Sequence, residues 1–243
     1  MIMLKTMNLI KERIELLRRN IEQAAHKSKR SIDDIQLICV TKYVEIEDVV
    51  KAIKCGCYEI GENRLQELRR KYDALEKILP NVQFQKIKWH FIGHLQTNKI
   101  KSVLGYASMI QSVDSLNLID SINEQARKIN RKIDVLVQVN ISKEDSKFGL
   151  NVSNVEDFLL KVIEYPNLCI KGFMGIAEFS EDRNLLRIEF SALKKLFDIQ
   201  NQRLAENGYP YMSVLSMGMS HDYKIAVEEG SNMIRVGSAI FGG

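Results

Sequence analysis

Apolar residues along the chain change rhythm repeatedly. Ile10, Ile14, Leu17 and Ile21 recur at helical spacing, which predicts a long amphipathic helix over residues 2–28. Ser31-Ile32-Asp33-Asp34 breaks it, and residues 35–40 form a compact apolar run of strand length ending in Thr41-Lys42. Helical spacing returns at Ile46, Val49, Val50 and Ile53 and closes at Gly56. A short strand over 58–60 runs into Gly61-Glu62-Asn63, and the helix that follows reaches residue 79, where Pro80 stops it. Further strands are predicted over 89–92, 109–113, 133–141 and 170–176. The helices between and after them run from Gly93-His94 to Gly105, along Ile119, Ile122, Ala126 and Ile129, from Val155 to Val162, and along Leu186, Phe190, Leu193 and Phe197. The last two strands, 212–215 and 233–236, enclose a tight turn at Gly218, Ser220 as the N-cap of a helix from His221, and Gly230 as its end.

Eight strands alternating with helices, with no long linker, internal repeat or low-complexity segment, predict an α/β fold. Residues 1–243 are expected to form one parallel (β/α)8 TIM barrel domain. An open doubly wound sheet is the alternative that alternation alone leaves standing. The length of 243 residues suits one barrel and buries enough apolar surface to need neither disulfide nor metal. Functional side chains of a barrel gather at the C-terminal ends of its strands. Here those positions hold Lys42, Asn63, His94, Asp114, Asn140, Met174, Ser216 and Arg235.

Composition narrows the class. No run approaches about 18 apolar residues and no secretory pattern opens the chain, so a cytoplasmic protein without a membrane partner is expected. A formal charge of +4 is too small to imply nucleic acid. Lys27-Ser28-Lys29-Arg30 and Arg69-Arg70-Lys71 read as solvated helix ends. Among the cysteines, Cys55-Gly56-Cys57 reads as a reduced structural pair rather than a metal site, and no metal is expected.

The candidate chemistry lies at two strand ends. The Gly- and Ser-rich turns after the last two strands place backbone N–H groups beside a helix start, an arrangement that suits a phosphate dianion. Barrels commonly hold phosphate after strands seven and eight, although the same residues also suit ordinary turns. Lys42 directly follows an apolar strand. With a buried stem and neighbouring cations its amine would lose basicity and become a Schiff-base nucleophile; a lysine that merely snorkels to solvent is the plainer reading. An amine of that kind facing a phosphate cradle suggests pyridoxal 5'-phosphate (PLP), which carries both an aldehyde and a phosphate. Arg235 then reaches the pyridine nitrogen while Gly237 and Ser238 hold the phosphate. An arginine cannot accept the pyridinium proton, so the ring stays neutral and is a weaker electron sink. His90 reads as a satisfied core residue, and neither His94 nor His221 is assigned catalysis. Glu228-Glu229 reads as a solvated helix face. Lys147 reads as a surface lysine, with transient capture of PLP as the rarer role.

Together these stretches carry a resemblance. Val40-Thr41-Lys42, GENRLQ at 61–66, WHFIGHLQTNK at 89–99, residues 140–149, GFMGI at 172–176, LSMGMS at 215–220 and RVGSAIFG at 235–242 span residues 40–242. They resemble the PLP homeostasis protein family, also called the proline synthetase co-transcribed family, which has the alanine racemase-type barrel. The resemblance implies that Lys42 holds PLP as an imine, that Ser220, Gly237 and Ser238 bind its phosphate, that Arg235 faces the ring nitrogen and that Asn63 lines the ring pocket. Thr41 and Ser238 stand where the family often has Ser and Thr, and each keeps the hydroxyl. The implied function is non-catalytic: a PLP-binding protein of vitamin B6 homeostasis that affects amino-acid metabolism indirectly, with PLP-dependent enzymes as acceptors.

The alternative is a PLP-dependent amino-acid racemase. Racemisation needs an acid and a base on opposite faces of the substrate carbon. In alanine racemases the second group is a tyrosine of an added β-domain, supplied across a dimer, whereas only residues 239–243 follow Ser238. No C-terminal β-domain is therefore expected, and a monomeric carrier is the expected outcome. The long N-terminal helix is expected to cover the side that a closing helix covers in relatives.

Overall fold

The computed structural model of the chain describes residues 2–142 and 148–242, so Lys147 lies outside the described residues. Nine strands form one sheet: β1 (Gln36–Val40), β2 (Glu59–Glu62), β3 (Lys88–Phe91), β4 (Met109–Val113), β5 (Ile133–Asn140), β6 (Leu150–Asn151), β7 (Leu168–Gly175), β8 (Val214–Ser216) and β9 (Met233–Val236). Their order is β4-β3-β2-β1-β9-β8-β7-β5, and a β4–β5 pairing closes the ring. All the pairings are parallel. The eight-stranded barrel is thus realised and the open sheet is not. The two-residue β6 sits beside the end of β5, outside the ring.

Two apolar layers hold the barrel. A small inner layer, Ile38, Met109, Leu136, Met174 and Met233, fills part of the ring. A larger outer layer packs strand residues such as Ile60, Ile110 and Phe173 against helix residues such as Ile53, Leu68, Ile119 and Phe190. The alternation read in the sequence reflects this division, because successive strand residues point to opposite faces. The stretch after β3 departs from expectation. Instead of one helix to Gly105 it forms a 3-10 turn, Thr97–Lys99, followed by the short helix Ile100–Val103.

The N-terminal helix Ile2–Lys27 buries Ile10, Ile14, Leu17, Ile21, Ala24 and Ala25. It packs against the helix Tyr223–Glu228 and the last helical turn, Ser238–Phe241. Arg30, read in the sequence as solvated, is half-buried and donates to the carbonyls of Val227 and Ser231, which caps the C-terminal end of the helix Tyr223–Glu228. Glu228 is also no solvated helix face. Its side chain is 10% exposed and pairs with Lys27 and Arg187. No helix among the described residues is long and apolar enough to cross a membrane.

Candidate functional site

The C-terminal ends of β1 and β9 are neighbours, with Ile38 opposite Arg235 and Cys39 opposite Val236. That register places Val40 beside Gly237 and brings Lys42 to the same rim as the Gly237-Ser238 turn. On the other side of β1, Val40 lies opposite Gly61, so Asn63 follows at the level of Lys42.

Thr41 is wholly buried. Its carbonyl accepts from Lys71 Nζ at 2.6 Å and its hydroxyl donates to Glu62 Oε1 at 2.6 Å. Beyond this anchor the chain turns, with Val44 N–H donating back to the Thr41 carbonyl and Tyr43 at φ +62°. The turn carries Lys42 outward, so its side chain is exposed rather than buried along its stem as the strand-end position suggested. Lys42 lines a cleft of about 500 Å³ together with Tyr43, Glu45, Asn63, Arg64, Glu67 and Arg70. An adjoining cleft of about 160 Å³ shares Asn63 and Arg64 and reaches Phe91, His94 and Lys99.

The next stretch of the same rim is built by the β8 and β9 ends. Gly218 adopts φ +98°, which only glycine takes without strain, and its carbonyl accepts from Arg235 N–H at 3.0 Å. Ser220 does not cap a helix, contrary to expectation. Asp222 holds the N-cap position, and its carboxylate accepts from Met219 N–H. The turn at residues 220–222 instead swings the Ser220 hydroxyl to the β9 end, where it accepts from Gly237 N–H at 3.2 Å and Ala239 N–H at 3.3 Å. A Cβ on Gly237 would lie 3.1 Å from the Val40 carbonyl, so any larger residue would crowd this cradle. Ser238 is exposed at the start of the last helical turn.

Arg235 points into the barrel and is 4% exposed. Its Nη1 donates to Ser216 Oγ at 2.6 Å and its Nη2 to the Gly175 carbonyl at 2.9 Å. Burial lowers its pKa to about 10, opposed by the charge of Asp222, so it remains a cation near neutrality. Asp222 itself is pushed up by burial. Below Arg235 a polar file continues through Ser216, Gln111 and His90 to Glu59. His90 is the satisfied core residue expected.

Of the other strand-end candidates, Met174 belongs to the inner apolar layer. His94 stacks on Phe148 with ring centroids 4.2 Å apart. Asp114 is raised by burial, with the charge of His94 and the Gly149 N–H opposing. His221 is exposed, 3.2 Å from Asp222 Oδ2, and packs near Phe179. The sequence reading missed several buried polar groups, Lys71 and Gln111 among them. Lys71, taken for part of a solvated helix end, has no exposed side-chain surface, and Gln111 lies in the middle of a strand. Lys71 could have been found: it stands three residues after Leu68 and four before Leu75, on the buried face of the helix Leu65–Ile78. Gln111 gave no comparable signal.

The closed ring, with a lysine just after its first strand and a serine–glycine turn at its last, has the architecture of the racemase-type barrels. The family described as alanine racemase, N-terminal domain, matches residues 13–243. A protein of Aquifex aeolicus named pyridoxal phosphate homeostasis protein is 36% identical, covering 95% of this chain and 96% of its own. One of Escherichia coli K12 with the same name is 31% identical, with 97% of each chain covered. The structure of PipY from Synechococcus elongatus with PLP bound superposes with a TM-score of 0.82 at 28% identity, covering 96% of this chain and 100% of that one. An alanine racemase of Clostridium difficile shares the fold at 14% identity and a TM-score of 0.68, with 97% of this chain covering 60% of the racemase. The chain belongs to the pyridoxal phosphate homeostasis protein family.

Proposed function

We propose that residues 1–243 act as one PLP-binding barrel domain that holds the cofactor reversibly and serves PLP homeostasis without turning over a substrate. The observation that supports this reading is the β1–β9 register, by which Lys42 follows β1 at the same rim as the Gly237 turn that follows β9, where the Ser220 hydroxyl also lies. The residues present fit the cofactor: an accessible amine for an aldehyde, a glycine-walled turn for a phosphate, and a fixed cationic donor for a ring nitrogen. Relatives named for PLP homeostasis and a neighbour solved with PLP bound support the assignment.

Lys42 supplies the amine that retains PLP as an imine, one water leaving as the C=N bond forms. Ser220, Gly237 and Ser238 take the phosphate. The Gly237 and Ala239 N–H groups now reach Ser220 Oγ at 3.2 and 3.3 Å, longer than a typical N–H···O bond, and a dianion offers them a stronger acceptor. The serine hydroxyl can then turn and donate. Asn63 lines the ring pocket. Arg235 approaches the pyridine nitrogen as a donor only, so it leaves that nitrogen unprotonated. When bound, PLP supplies an electrophilic carbonyl and an electron-withdrawing ring, and an unprotonated ring withdraws least. The site therefore favours storage over carbanion chemistry. A cytoplasmic monomer that limits free aldehyde and releases PLP to PLP-dependent enzymes, with indirect effects on amino-acid metabolism, completes the reading.

The test is an absorbance spectrum of purified protein mixed with PLP, compared with Lys42→Ala, followed by racemase and transaminase assays. The imine band should appear in the wild type and vanish in the variant, with no amino-acid turnover by either. Robust racemisation by the wild type would replace the carrier with the racemase.

A further inference from the structure

Five side chains cross the barrel interior in single file. Arg235 Nη1 donates to Ser216 Oγ at 2.6 Å, and Ser216 Oγ donates to Gln111 Oε1 at 2.8 Å. Gln111 Nε2 stands 3.1 Å from His90 Nδ1, and His90 Nε2 stands 2.7 Å from Glu59 Oε2. The chemistry of each group sets one direction throughout. A guanidinium can only donate, so the serine hydrogen passes on to the glutamine oxygen. That turns the amide nitrogen toward His90, which must then accept at Nδ1 and carry its proton on Nε2, toward the carboxylate.

Ser216 and Gln111 are 0% exposed and His90 is 2% exposed, so bulk water does not compete for these bonds. The file runs past the apolar side chains of Met109 and Met233, where apolar residues could have filled the ring. A polar chain in such surroundings is stabilising only when every member is satisfied, and each bond polarises the next. It ends on Glu59, whose carboxyl burial would raise, but the hydrogen bonds from His90, Lys88 and Gln36 hold it below its usual value.

We propose that His90 and Gln111 are positioning residues for Arg235: through Ser216 they fix the direction of its guanidinium from the far end of the barrel. This rests on the reading of Arg235 as the group that meets the PLP ring nitrogen. Neither residue touches the cofactor site.

The test has one arm without PLP and one with it. Nitrogen-edited NMR of the apo protein should find His90 protonated at Nε2 and bare at Nδ1. Gln111→Leu and Ser216→Ala should each shift the Arg235 guanidinium signals, and Ser216→Thr, which keeps the hydroxyl, should restore them. With PLP added, Ser216→Ala and Gln111→Leu should each raise the dissociation constant by about fivefold, the worth of one net hydrogen bond. That loss should disappear in an Arg235→Met background, as expected of residues that act through the arginine. A proton on Nδ1 of His90 overturns the proposal, and so does a loss of affinity that is the same with and without Arg235. Should Gln111→Leu fail to fold, the Ser216→Ala and Ser216→Thr pair makes the same comparisons. A wild-type protein that takes up no PLP removes the ring-nitrogen role, and the positioning role with it, while the apo signals separately establish whether the file exists.

Discussion

Lys71 Nζ lies 2.6 Å from Glu62 Oε1, and neither side chain has any exposed surface. The same ammonium donates to the Thr41 carbonyl at 2.6 Å, and the Thr41 hydroxyl donates to the same carboxylate oxygen at 2.6 Å. A buried ion pair thus clamps the residue immediately before Lys42. Glu67 adds a second carboxylate 3.5 Å from the ammonium. Such a pair is weak evidence for net stability, but breaking it from one side is costly, because the remaining charge is left without its partner in a medium that hydrates it poorly.

Lys71→Met should therefore destabilise the fold by about 3–5 kcal/mol, the usual penalty for stranding a buried charge. Urea unfolding of the variant and the wild type measures it. A loss below about 1 kcal/mol is the figure expected of a surface pair and would contradict the burial described. Because Thr41 loses its clamp, PLP binding at Lys42 should weaken as well.

Lys42→Ala should behave in the opposite way. The side chain is exposed, so the apo variant should match wild-type stability to within about 0.5 kcal/mol. The stabilisation conferred by PLP, about 2.7 kcal/mol at a hundredfold excess over the dissociation constant, should fall sharply. Thermal unfolding with and without PLP separates the two effects.

Gly237→Ala probes the cradle. The new methyl would sit 3.1 Å from the Val40 carbonyl oxygen. The expected outcome is a stability loss of about 1 kcal/mol from crowding, with a larger loss of PLP affinity than of stability. Parallel denaturation and PLP titration compare them. Unchanged PLP affinity would remove Gly237 from the phosphate turn.

Glu59 gives a pH dependence with a definite sign. Its folded pKa lies below the usual 4.5, because hydrogen bonds from His90, Lys88 and Gln36 outweigh the burial that would raise it. The unfolded chain therefore binds the proton more readily. The contribution to stability is fully present above the usual value and is lost as pH falls from there through the depressed folded one. Glu59→Gln should flatten the stability curve in that acidic window and leave its slope near neutrality unchanged. Denaturation midpoints across pH would show it, and equal acid slopes in both proteins would count against the assignment.

Much of this architecture was readable from spacing alone. Met109–Val113 and Met233–Val236 emerge as strands with the bounds read from the sequence, because apolar runs between polar turns have few other uses in a barrel. Lys42, Asn63, Gly237 and Ser238 were legible as strand-end residues, since the fold itself makes that position functional. What spacing could not supply was direction. Ser220 satisfied the rule for a helix cap, yet its hydroxyl serves the neighbouring strand end, a choice made by tertiary packing. Lys42 was expected to have a buried stem, but the turn anchored at Thr41 sends it outward. Lys71 carries a charge that composition assigns to solvent, and its partners Glu62, Glu67 and the Thr41 carbonyl make its burial tolerable.

The ring closes where Gln36–Val40 meets Met233–Val236, its first strand pairing with its last. During synthesis the earlier strands emerge long before the one that completes them, and until then β1 and β8 expose unpaired edges. Neither the cradle nor the arginine exists before that final segment leaves the ribosome. On the proposed function, capture of a vitamin aldehyde would follow completion of translation, and a nascent chain truncated before residue 233 should show none of it.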